Sequence, residues 1–458
     1  MSLFAASSIF VTLVFILVGI VSARGSGATD YSMAGRKSTV TGVSGILLGS
    51  LVGGASTVGT VQMAYQWGIS AWWFTLGGGI GCLVLGIWFA VPLRRSGMET
   101  IPGFLSLSYG PKAGLVAVTA SASGTFLSIV AQFLSGAGLL GGVVSAGPLV
   151  SFSLVAILVV SFIFLGGLRS FSSIGAGKII LLYFTLSICA AKAVLLLVSF
   201  DGTPVSMPVQ PFFSLFGQGI GNGLGSGASL VTGVLCTQIY IQAVFSASSP
   251  STARKGAILS AILMPPLGIL GMIIGMSMRR MGIVTEPASA LSHFIATGFH
   301  PLVGGVLWGG ILITVIGTAA GLTLGVAVNI VSDILAPRFP GLCGGNSSAT
   351  ATRCAVLALI LAAGLAGIAG QGSMILKWSY LSMGLRGSGI FFPLVASVLF
   401  PGRLSPGMAA ISGGAGLLAT IMWPLSGLPL EPLFAGLSVS AAVVFLGIRY
   451  GRREHPLP

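Results

Sequence analysis

Acids are the scarcest class of side chain here: seven aspartates and glutamates in 458 residues, with charged residues of both signs at only 6%. Asp30, Glu99, Asp201, Glu286, Asp333, Glu431 and Glu454 all fall in loops or at the ends of apolar stretches. Any cation inside such a stretch therefore lacks an obvious acidic partner. The three histidines lie outside the apolar centres and form no spaced cluster with cysteine or acid, so no metal site is read. The five cysteines show no paired spacing and report nothing about redox compartment. Walker-type nucleotide-binding and nucleophilic-hydrolysis motifs are missing, which leaves ATP-driven pumping unsupported and argues against an enzyme. No connection is long or polar enough to be a soluble domain.

What is abundant is apolar surface: 54% of residues are hydrophobic and mean hydropathy is +1.04, far from an ordinary soluble chain. A span needs about 20 apolar residues. Thirteen such segments are read, at 3–23, 41–65, 68–93, 113–143, 147–167, 171–199, 217–246, 256–278, 301–334, 354–371, 374–400, 405–424 and 428–448. Continuous runs such as "LVAILVVSFIFLGG" contradict the alternation of a β-barrel. The expected fold class is an all-α integral membrane protein of about thirteen transmembrane helices, with the lipid bilayer as its surroundings.

A net charge of +14 raises the question of nucleic acid, but the basic residues are scattered among loops rather than gathered on one face. Membrane topology accounts for them. With the N-terminus outside and the C-terminus cytoplasmic, Arg94, Arg95, Arg254, Lys255, Arg449, Arg452 and Arg453 fall inside, against Arg279, Arg280 and Lys377 outside. The opening segment has no basic n-region and is followed by Arg24, so a first span in the cell membrane is simpler than a cleaved signal.

Two spans are interrupted by small residues: the second by "GSLVGGASTVGT" at 49–60, the seventh by "GIGNGLGSGASLVTG" at 219–233. They lie five spans apart. Helix-breaking residues in corresponding halves mark transporters built from inverted repeats whose broken helices meet near the midplane. The alternative is that the glycines only allow close helix packing. The division expected is 1–40 for the first span and loop, 41–199 and 217–400 for two inverted five-helix repeats, and 401–458 for two further spans and a short tail.

Several motifs, in order, resemble the sodium:solute symporter family almost end to end: "DYSMAGRKS", "GGASTVGTVQMAYQWGISAWW", "METIPGFLSLSYG", "QIYIQAVFSASSPSTARKG" and "GSGIFFPLVASVLFPGRLSPGMAAISGG". Gly103 and Ala243 depart from the family pattern, where an acid and an arginine are usual. The resemblance implies a leucine-transporter-type core, alternating access and Na+ as coupling ion, with no other cofactor. It implies a sodium site of oxygen ligands from Gly49, Val52, Thr314 and Thr318, chemistry suited to a hard cation. Gly317 stands where a second hydroxyl belongs, and Gly175 and Lys178 stand where the family often has Asp and Gln.

The substrate cavity implied is floored by Gly53, Gly54, Ala55 and Ser56 from one broken helix and by Leu230, Gly233 and Val234 from the other. This lining offers few directed side-chain hydrogen bonds, which disfavours a sugar.

Lys178, Lys192 and Arg386 are the cations inside spans, and intramembrane charges are default functional candidates. Lys178 lies about 8 residues into its helix, roughly 12 Å from the end at 1.5 Å per residue. One reading is snorkelling to the headgroups. The other is that its amine leans into the depleted cation site, replaces sodium and cycles a proton, since desolvation disfavours an ammonium; transport would then be proton-coupled or ion-independent. Lys192, nearer a span end, reads as snorkelling. Arg386, near the centre of its span, either binds backbone carbonyls or contacts an anionic solute bidentately.

The function expected is a secondary active transporter, a solute symporter coupled to a Na+ gradient and moving a small solute such as a carboxylate or amino acid. The alternatives are a proton-coupled or ion-independent transporter with Lys178 replacing the cation, and a transporter-like membrane sensor. No obligate protein partner is evident.

Overall fold

The computed structural model describes residues 3–23, 36–143, 147–336, 338–339, 347–427 and 431–450. Most of "DYSMAGRKS" and all of the tail after Tyr450 lie outside them. Helices succeed one another as α1 (Leu3–Ala23), α2 (Val40–Leu51), α3 (Thr60–Trp67), α4 (Trp73–Val84), α5 (Ala90–Arg95), α6 (Ile101–Tyr109), α7 (Pro111–Gly141), α8 (Pro148–Val198) and α9 (Val209–Phe212). The second half continues with α10 (Ile220–Cys236), α11 (Gln238–Phe245), α12 (Pro250–Arg280), α13 (Ala290–Gly298), α14 (Pro301–Asn329), α15 (Ser347–Ala369), α16 (Ile375–Leu399), α17 (Pro406–Met422) and α18 (Pro432–Tyr450). Among the described residues the only β pairing is one parallel bridge, Ser38 to Ala247.

Local chemistry sets the helix starts. Thr39, Thr100 and Ser249 accept the amides of Gly42, Gly103 and Thr252 through their hydroxyls, at 3.2, 2.9 and 3.1 Å. Proline occupies the first turn of α6, α7, α8, α12 and α14, where its missing N–H has no helical partner to lose.

Nine helical stretches among the described residues are long and apolar enough to cross a membrane, or ten if the bent pair α10–α11 is one span. This is a multi-pass membrane protein, but the expected thirteen separate spans are not resolved as such. Helical backbone runs from Ala55 to Arg95 through a tight 3-10 turn at Gly68–Trp72, joining two expected spans. It also runs unbroken through α8, whose 51 residues join the expected spans 147–167 and 171–199. At 1.5 Å per residue, α8 would be about 76 Å long if straight, more than twice the hydrocarbon thickness.

The centre of the bundle is built by α7, which packs along α16, and by α14, which packs along α1, α7 and α8; α12 lies against α2, α3, α4 and α8. In lipid, association depends on close packing and interhelical hydrogen bonds rather than on hydrophobic drive. The face of α7 turned inward fits that requirement. Ser121, Thr125, Ser128, Gln132 and Ser135 recur at helical spacing and all are buried.

Candidate functional site

The first break falls where the sequence places it. α2 ends at Val52, which is extended (φ −90°, ψ 107°), and Gly53 and Gly54 lead into a π-helical turn, Ala55–Gly59, before α3. Peptide groups freed inside a membrane must find partners. Here the Gly54 amide donates to Gln132 Oε1 at 2.7 Å and the Gly53 amide to Ser56 Oγ at 3.0 Å. The Ser56 and Thr57 hydroxyls donate back to Gly53 O at 3.0 and 2.9 Å. Glycine is required by proximity: a Cβ on Gly54 would stand 2.3 Å from Ser135 Cβ, and one on Gly53 would stand 2.9 Å from both Gln132 Oε1 and Thr318 Cγ2.

The second break is not where the sequence reading put it. Residues 219–233 belong to a continuous helix, α10, apart from its cap Gly219. Their glycines serve packing, Gly223 and Gly227 against Trp73 and Gly233 against Met383. The chain breaks instead at Thr237 (φ −96°, ψ 118°), with a 49° bend between α10 and α11. The Thr237 hydroxyl donates to Gly233 O at 2.5 Å, so a side chain satisfies a carbonyl that the helix no longer serves.

Lys178 projects from α8 toward the first break. Its Nζ donates to Gly49 O at 2.8 Å and to Thr318 Oγ1 at 2.5 Å, and the side chain is only 6% exposed. Snorkelling is therefore overturned for this residue: the sequence does not give the direction in which the stem turns. Thr318 donates in turn to Thr314 O at 2.9 Å. Of the four residues implied as sodium ligands, Gly49 and Thr318 meet at the ammonium, Thr314 joins through Thr318, and Val52 caps α2. Lys192, by contrast, is partly exposed.

Arg386, on α16, is completely buried. Its Nη1 donates to Thr237 Oγ1 at 2.8 Å, its Nη2 to Ser128 Oγ at 3.0 Å and Ser382 Oγ at 2.7 Å, and its Nε to Ser382 O at 3.2 Å. Every one of these oxygens is neutral. The guanidinium thus ties the second break to α7.

Of the residues read as flooring a substrate cavity, Gly53, Gly54, Ala55 and Ser56 are buried at the first break, while Gly233 lies one turn before the second. The reading missed Gln132, Ser135, Ser128, Ser382 and Thr237. A signal for three of them was present, the polar residues of α7 at steps of four and three.

On the side where α7 ends and α8 begins, a cavity of about 130 Å³ is lined by Ser151, Glu286, Ser289, Gln371 and Ser373 among others. Beside it Gln62 of α3 donates to Ser373 O at 3.2 Å and accepts the Ile375 amide at 2.9 Å.

An all-helical membrane bundle in which one helix breaks after Val52 and another at Thr237 belongs to a class: helical membrane proteins of the leucine-transporter-type fold. Known structures agree. A Na+-coupled sialic acid symporter, in a substrate-bound outward-open state, is similar over 100% of this chain and 99% of its own, at TM-score 0.73 and 15% identity. Mhp1, a nucleobase-cation-symport-1 family transporter in a closed conformation with bromovinylhydantoin bound, is similar over 91% of this chain and 92% of its own, at TM-score 0.61 and 14% identity. At such identities the likeness shows the fold. No protein-family model matches the sequence, and no curated protein matches it.

Proposed function

We propose that this chain is a secondary active transporter of a small solute in which the Lys178 ammonium takes the place of a coupling metal cation. The observation that carries the reading is the position of Lys178 Nζ, within hydrogen-bond reach of Gly49 O and Thr318 Oγ1. These are the oxygens that the family resemblance assigns to sodium, and a second positive charge beside them would be repelled. Transport is then coupled to protons. The amine takes up a proton where the first break is open to water on one side of the membrane and delivers it to water on the other.

The solute is a small carboxylate or amino acid. Two interior cations without acidic partners favour an anionic group nearby. Gly53, Gly54, Ala55, Ser56, Gly233 and Arg386 border its path. The protein sits in the cell membrane with its N-terminus outside.

Na+ coupling is the second reading. The similar sialic acid symporter is Na+-coupled, and Gly49 O, Thr314 O and Thr318 Oγ1 are hard donors that suit Na+ once Lys178 withdraws. Uptake of a panel of radiolabelled carboxylates and amino acids into proteoliposomes separates the two. Accumulation driven by an inward proton gradient without Na+, and loss of that pH dependence in Lys178→Gln, is expected. Uptake that demands Na+ and survives Lys178→Gln overturns the proposal, and binding without accumulation indicates a sensor.

A further inference from the structure

Gln132 has one end of its carboxamide in use and the other free. The end turned toward Gly54 meets a backbone amide at 2.7 Å, and since that partner is a donor, this end must be the oxygen, Oε1. Nε2 then carries both hydrogens of the group, and it makes no hydrogen bond among the described residues. The side chain is only 5% exposed. An unpaired donor at such depth is unfavourable and calls for an acceptor that the chain itself does not provide.

The neighbouring hydroxyls are differently placed. Each has a single hydrogen, and those around the first break are spent within the protein: Ser56 and Thr57 on Gly53 O, Ser135 on Ala131 O at 2.8 Å, and Thr318 on Thr314 O. Among these uncharged side chains Gln132 alone keeps hydrogens to give. A Cβ on Gly53 would stand 2.9 Å from both Oε1 and Thr318 Cγ2, so the carboxamide lies where α7, α14 and the first break meet. That is the solute path of the transporter reading.

Nearby charge decides which acceptor fits. Ser128, one turn earlier on α7, holds Arg386, whose guanidinium keeps its charge in proteins and has only neutral partners. A carboxylate oxygen at Nε2 satisfies the donor and is attracted by that cation, whereas a neutral carbonyl does only the first and an ammonium does neither. We propose that Gln132 is a specificity-determining residue of the solute site, its Nε2 donating to a carboxylate oxygen of the solute while its Oε1 holds Gly54. This deepens the transporter reading above and rests on it, whichever ion is coupled. Hydrogen bonds in series through one amide reinforce each other, so a bound carboxylate strengthens the hold of α7 on the break.

Thermal stabilisation of the purified full-length protein by the proteinogenic amino acids and by acetate, lactate, pyruvate and succinate reads solute binding. At least one of these carboxylates is expected to raise the wild-type melting temperature saturably, while its decarboxylated counterpart, such as ethylamine for alanine, does not. Two variants then separate the ends of the carboxamide. Gln132→Glu keeps an acceptor for Gly54, but an ionised glutamate donates nothing; Gln132→Met has neither end. Both are expected to weaken binding of that carboxylate by roughly tenfold to a hundredfold, although only Gln132→Met melts well below the wild type without solute. Loss of the donor is the one change the two share. Wild-type affinity in either folded variant overturns the proposal and leaves the transporter reading standing: in Gln132→Met the side chain is unused, and in Gln132→Glu it acts only by holding Gly54. If Gln132→Met does not fold, Gln132→Glu decides alone. A decarboxylated counterpart that binds as tightly as the carboxylate also overturns the proposal. A wild type that no member of the panel stabilises overturns the solute class of the transporter reading, and the proposal with it.

Discussion

Ser128 and Gln132 stand one helical turn apart on the inward face of α7, and each serves a different break. Gln132 Oε1 accepts the Gly54 amide at 2.7 Å, and Ser128 Oγ accepts from Arg386, whose guanidinium also holds Thr237. One rigid helix thus fixes the position of both interruptions. Changes on α7 should consequently act selectively, according to which break loses its partner.

Replacing Gln132 by alanine leaves the Gly54 amide buried without its acceptor. The expected destabilisation is about 1–3 kcal/mol, seen as a lower melting temperature of the purified protein, with Gln132→Glu closer to the wild type because an acceptor remains. Equal melting of wild type and Gln132→Ala would show that another group reaches this amide.

Gly54→Ala places a methyl 2.3 Å from Ser135 Cβ. Overpacking of this kind costs about 1–3 kcal/mol. Adding Ser135→Gly removes the obstructing carbon, so the double variant should melt above Gly54→Ala alone. Additive destabilisation of the two changes would refute the contact as the cause.

Thr237→Val keeps the β-branched shape that suits an extended residue but removes the oxygen that accepts from Arg386 and donates to Gly233 O. Two buried polar groups lose a partner, each worth about 1–3 kcal/mol, whereas Thr237→Ser retains both bonds. A valine variant that melts with the serine variant would remove the hydroxyl from the account of the second break.

Glu431, just before α18, lies against Gly225. Burial raises its carboxyl above the ordinary range, and nearby Lys377 partly offsets this. A raised carboxyl binds its proton more tightly in the folded state, so its stabilisation is complete below the unfolded value and fades as pH climbs through the folded one. Melting temperatures taken from acidic to neutral pH should show that decline in the wild type and a smaller one in Glu431→Gln. Identical slopes would locate the pH dependence elsewhere.

The membrane class and the first break were legible in the sequence because both depend on local composition. Gly53 and Gly54 mark a place where backbone meets Ser135 and Gln132 with no room for a side chain, and only glycine fits. The second break was hidden because Thr237 supplies its own hydrogen bond and needs no glycine, while the glycines of 219–233 answer to packing. The direction of Lys178 was not legible, since a flexible stem reaches either the headgroups or Thr318, and the choice is made by helices distant in sequence. The polar face of α7 was written at helical spacing but was diluted by the small residues of an apolar span, and the Gly166–Gly167 pair where two spans were expected to part is absorbed into the continuous helix α8.

The central claim is that Lys178 fills the cation position at the first break. The most direct measurement is the melting temperature of the purified protein in NaCl against choline chloride at equal ionic strength, since an ion that binds only the folded state raises stability with its concentration. The account predicts coincident melting in the two salts. A saturable rise specific to Na+ would contradict it.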